Sequence, residues 1–125
     1  MRWAALVALV ALPTFAQTEV PSGLQVTPLD VIEEEQPGGE TWLVLRYLAP
    51  SIEGGAVAYE DVVEDLQALC DSEGIRLADD PAKGITQIVV VLLDQPVKRG
   101  EVATQATQYI GAYLPTEEGC SWNDF

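Results

Sequence analysis

The chain has 125 residues, with 20 acidic and six basic side chains, two cysteines, no histidine and a formal net charge of −14 at pH 7. That length suits one hydrophobic core, since domains of about 100–150 residues are the commonest size. The charge makes nucleic acid and anionic membrane surfaces poor partners, and the missing histidine removes Cys–His nucleophile pairs and ordinary Cys/His zinc sites.

Arg2 precedes an unbroken apolar run, WAALVALVAL, which Pro13 closes before the small residues Thr14 and Ala16. A positive start, a short apolar stretch and a small-residue cut site make up a secretory signal peptide over residues 1–16, leaving a domain over 17–125. A membrane span needs about 20 apolar residues, twice this run. The longest later run, IVVVLL, is strand-sized. The mature chain is therefore expected to be exported, to the periplasm or beyond the cell, with no membrane span.

LQVTPLDVI (residues 24–32) has the two-residue period of a strand, and EEEQPGGE after it reads as a turn. TWLVLRYLA (41–49) is apolar on both faces apart from Arg46, as in a central strand, and pairs with the first run as a hairpin. PSIEGG leads to the clearest helix, YEDVVEDLQALCDSEG. Its apolar stripe is Tyr59, Val62, Val63, Leu66, Leu69 and Cys70. Acids in its first turns suit the helix dipole, and Gly74 reads as its stop. IRLADDPAKG is expected as a loop. ITQIVVVLL (85–93) is a buried strand. QYIGAYL (108–114) and CSWND (120–124) flank the turn PTEEG. The result is an α+β fold: one small domain, an antiparallel or mixed sheet in β-β-α-β-β-β order, and one amphipathic helix on a face.

Cys70 lies on the inner face of the helix, near its C-terminal end and beside Asp71, where a thiolate is disfavoured. With export and an even cysteine count, the reading is a disulfide from Cys70 to Cys120. Arg46 is the one basic residue in a predicted strand. It reads as a structural ion pair, with Asp65 as partner, as an edge arginine lying over Trp42, or as an anion contact. Trp122 and Phe125 form a candidate interaction surface. Oxygens between Asp71 and Asp80 suggest a cation site but lack the order of a calcium loop. No metal, cofactor or catalytic residue is assigned.

RYLAP, YEDVVEDLQALC and the tail TQYIGAYLPTEEGCSWNDF together resemble a family of small exported alphaproteobacterial proteins of unknown function. The matching positions are Ala49 and Pro50, Leu69 and Cys70, and Cys120 and Trp122. The resemblance implies the same paired cysteines and brings no activity. Two functions follow from different classes. One is a non-enzymatic binding module for an unknown protein or envelope component, recognised by an exposed apolar patch rimmed with acids. The alternative is a carboxylate-dependent hydrolase acting on glycans, recognised by a cleft where two acids converge and one has a raised pKa.

Overall fold

Alternation of apolar and polar residues builds the first strand, and unbroken apolar runs build the next two. The computed structural model describes residues 17–123, so the expected signal peptide and Phe125 lie outside the described residues. Strand β1 (Thr27–Glu35) starts and ends three residues later than its sequence pattern suggests, and takes Glu33, Glu34 and Glu35 into the strand. Those acids had read as a turn. They fit because β1 lies at the edge of the sheet, where side chains reach water from either face. The turn itself is residues 36–40, closed by the Gln36 N–H donating to Glu40 O.

Strand β2 (Thr41–Leu48) pairs antiparallel with β1, and strand β3 (Ile85–Leu93) pairs parallel with β2. Both are buried on two faces, which is why they read as continuous apolar runs. Strands β4 (Gln108–Thr116) and β5 (Gly119–Trp122) follow as antiparallel neighbours, giving a mixed five-stranded sheet in the order β1-β2-β3-β4-β5. A parallel β2–β3 pair demands a crossover, and the helical segment supplies it.

That segment enters through 3-10 turns at Pro50–Gly55 and Tyr59–Asp61 and continues as α1 (Val63–Leu69), a π-helical turn (Cys70–Gly74) and α2 (Ile75–Ala78). Gly74 does not stop the helix, and residues 75–78 of the expected loop are helical. Gly74 is buried with ordinary right-handed backbone angles. A Cβ there would stand 3.1 Å from Ile88 Cγ2 and 3.2 Å from Cys70 Sγ. The glycine serves close approach to β3, not termination. The π turn has a local cause as well: the Ser72 hydroxyl donates to Ala68 O at 2.9 Å, competing for a carbonyl the regular ladder would use.

The helix covers one face of the sheet. Val62, Leu66, Leu69 and Cys70 meet Leu43, Leu45, Ile88, Val90, Leu92 and Tyr113, all within 1 % of full burial. Burying each large aliphatic side chain contributes about 1.5–3 kcal/mol, so this face forms the main core. Val44, Val89, Val91 and Leu93 form a smaller cluster on the other face. Residues 94–107, between β3 and β4, pack there through Val97. Their neck is closed by Asp94 N–H donating to Thr107 O and Thr107 N–H donating to Asp94 Oδ1.

Candidate functional site

Arg46 sits in the middle of β2, 6 % exposed, on the face opposite the helix. Its Nε and Nη2 donate to the two oxygens of Asp30 at 2.8 and 2.7 Å, and its Nη1 donates to Val97 O at 2.5 Å. The partner is Asp30, not Asp65. Register explains the difference: Glu35 faces Thr41 across the turn, and counting back along the hairpin sets Asp30 opposite Arg46. Asp65, on α1 and fully buried, accepts instead from the Ser22 N–H at 2.9 Å and from the Ser22 hydroxyl. It ties the segment before β1 to the helix.

A second arginine repeats the first pattern. Arg99 donates to both oxygens of Glu34, at 3.0 and 3.2 Å. Asp30 and Glu34 of β1 thus hold residues 94–107 across the sheet, through Arg46 and Arg99. The hydrogen bonds from Arg46 lower the pKa of Asp30, outweighing the opposing effect of burial. Those from Arg99 lower Glu34 in the same way. A cavity of about 530 Å3 borders this strap, lined by Glu34, Arg46, Lys98, Arg99, Glu101 and Gln108. Two carboxylates, Glu34 and Glu101, line it. Glu34, however, is held ionised by its arginine, the wrong direction for the acid a glycosidase requires.

At the far side of the sheet Trp122 is 44 % exposed and packs edge-on against Tyr113, with ring centroids 5.6 Å apart. Leu114 on β4 is similarly exposed, and Glu117 and Glu118 form the adjoining turn. Phe125, the expected companion of Trp122, lies outside the described residues.

The disulfide joins Cys70 of the π turn to Cys120 of β5, and three neighbours reinforce it. Cys120 stands opposite Pro115 at a non-hydrogen-bonded position of the pair, so the Cys120 backbone groups point away from β4. The helix receives them. The Cys120 N–H donates to Asp71 Oδ1 at 2.8 Å, and Gln67 Nε2 donates to Cys120 O at 2.8 Å. Gly119 leaves room for this carboxylate, since a Cβ there would stand 3.0 Å from Asp71 Oδ1. Two side chains thereby complete the hydrogen bonding that a sixth strand would otherwise offer at Cys120.

Those bonds also bear on the cation site weighed, but not assigned, between Asp71 and Asp80. Asp71 is engaged by Cys120 and Gln67, Glu73 pairs with Arg76, and Asp80 accepts from the Ala82 N–H. Among the described residues no three His, Cys, Asp or Glu side chains gather as a metal site, and no helix is long and apolar enough to cross a membrane.

The opposite edge, β1, is built differently. Its outer side faces no other strand among the described residues. Val31 is 55 % exposed on the helix-side face of this strand. Beside it runs a groove of about 150 Å3, lined in part by Pro28, Val31, Leu45, Tyr47, Glu73 and Leu77. Burial, with Glu73 nearby, pushes the Tyr47 hydroxyl up to about 12, so it stays a neutral donor at the groove.

Sheet, helix and covalent clasp define a small disulfide-bonded α+β domain. Over residues 4–125 the chain matches the family described as Family of unknown function (DUF6497), and it belongs to that family. No curated protein and no solved structure matches it. Sequence reasoning missed Asp30 and Gln67, and named Asp71 without its bond to Cys120. Hairpin counting from the 36–40 turn would have found Asp30; nothing local marks the other two.

Proposed function

We propose that the protein is an exported, non-enzymatic binding module whose partner is a cationic protein or envelope component. One observation carries this reading. Beyond residue 16 there are five basic residues, and four of them, Arg46, Arg76, Lys83 and Arg99, are spent in internal ion pairs. Among the described residues, the acids other than Asp30, Glu33, Glu34 and Glu73 have no such partner, so the outward field is negative and draws cations. Export rests on the apolar leader and agrees with a disulfide, which persists in oxidising compartments. No observation favours the glycan hydrolase.

The reading is tested by titrating the oxidised, processed protein with a labelled oligolysine and a labelled oligoglutamate at low and high salt. Binding of oligolysine alone, weakening as salt rises, is expected. Equal binding of both, or of neither, overturns the proposal.

A further inference from the structure

The edge of β1 and the groove beside it have the form of a peptide site. An edge strand presents unpaired N–H and C=O groups that template another strand. Proteins that bind by strand addition take affinity from those groups and specificity from pockets for alternate side chains. Here the usable edge is residues 30–35, since the register slips between Pro28 and Asp30. The groove, about 150 Å3, falls well below the roughly 300–1,000 Å3 of small-molecule sites and suits a single side chain. Val31, Leu45 and Leu77 line it with apolar surface, and Glu73 adds a carboxylate.

Glu33 and Glu35 follow Val31 on the same face of the strand; Glu33 pairs with Lys83 at 3.0 Å, and Glu35 has no ion pair among the described residues. They repel a second copy of this acidic chain, which argues against self-pairing. The same charges favour an extended segment bearing lysine or arginine. From this geometry we infer that β1 accepts a basic, extended peptide as a sixth strand. One long side chain lays its aliphatic stem against Val31 and Leu77, where its cation competes with Arg76 for Glu73, and a neighbouring cation faces Glu35. This inference rests on the cationic-partner reading and adds to it a place and a binding mode.

The experiment uses a short peptide of alternating lysine and valine, the same peptide with alternate backbone nitrogens methylated, and oligolysine. Binding to the oxidised, processed protein is followed by residue-resolved hydrogen exchange. The lysine–valine peptide is expected to slow exchange at amides in residues 30–35. Methylation, which leaves charge and side chains intact but removes donors, is expected to weaken binding about tenfold or more. Val31→Lys, at an exposed position, is expected to weaken the unmethylated peptide by a similar factor. If the peptides bind but methylation has no effect, or protection appears away from β1, strand addition is wrong and the cationic-partner reading stands. If no cationic peptide binds even at low salt, both fall together.

Discussion

Both β1 and β5 are edge strands of one sheet, yet they meet the problem of exposed backbone in opposite ways. At β5 the helix closes the edge: Cys70 bonds covalently to Cys120, while Asp71 and Gln67 take the Cys120 N–H and C=O. At β1 no strand and no covalent tie covers the outer side among the described residues, and charge alone stands guard. Covalent closure excludes every partner, whereas charge excludes like charge and admits its opposite. The comparison therefore locates rigidity at one end of the sheet and, on the proposed reading, recognition at the other.

Removing the clasp is the most severe way to break this contrast. Reduction, or Cys120→Ser, opens a link between residues 50 apart. It should cost about 4 kcal/mol in the chain-entropy account, with about 2–5 kcal/mol typical for small exported domains. Denaturant unfolding of oxidised and reduced protein measures it. Gly74→Val comes next, because its side chain must enter space already held by Ile88 and the disulfide sulfur. Overpacking of this kind costs about 1–3 kcal/mol and shows in the same unfolding curves. Asp71→Ala leaves the Cys120 N–H without its acceptor and should cost about 1 kcal/mol. Its sharper signature is faster exchange of that one amide.

The strap is sensitive to pH through its anchors on β1. Arg46 and Arg99 depress the folded pKa values of Asp30 and Glu34 below their unfolded ones. Their contribution is thus fully present above the ordinary carboxylate range, around pH 4, and is lost as pH falls through the depressed values. Protection across residues 94–107, taken relative to the intrinsic exchange rate at each pH, should fall on acidification before that of the main core, and Asp30→Asn should remove part of that dependence. The smallest expected effect lies in the core. The Tyr113 hydroxyl is buried with no partner among the described residues. Removing an unsatisfied buried group relieves a penalty of about 1–3 kcal/mol at most, so Tyr113→Phe should unfold at the same or slightly higher denaturant concentration.

Much of the fold could be read along the chain. β3 ends where its β-branched run ends, and the buried helix positions Val62, Leu66, Leu69 and Cys70 follow the apolar stripe. The paired cysteines were legible by elimination of other roles. What failed did so for tertiary reasons. Gly74 resembles a helix stop locally, but the constraint on it comes from Ile88, which is distant in sequence. Glu33 to Glu35 resemble a turn locally, but an edge strand tolerates them. Arg46 announced itself as unusual, and only the hairpin register selects Asp30 over Asp65. The capping of Cys120 by Gln67 and Asp71 depends on the helix crossing beside β5, which no periodicity encodes.

Native-state hydrogen exchange on the oxidised protein, without peptide, tests the contrast between the edges most directly. The Cys120 amide should exchange slowly and lose its protection on reduction, while every second amide of residues 30–35 exchanges quickly in both redox states. A Cys120 amide exchanging at loop rates in the oxidised protein, or uniform protection along β1, would contradict the account.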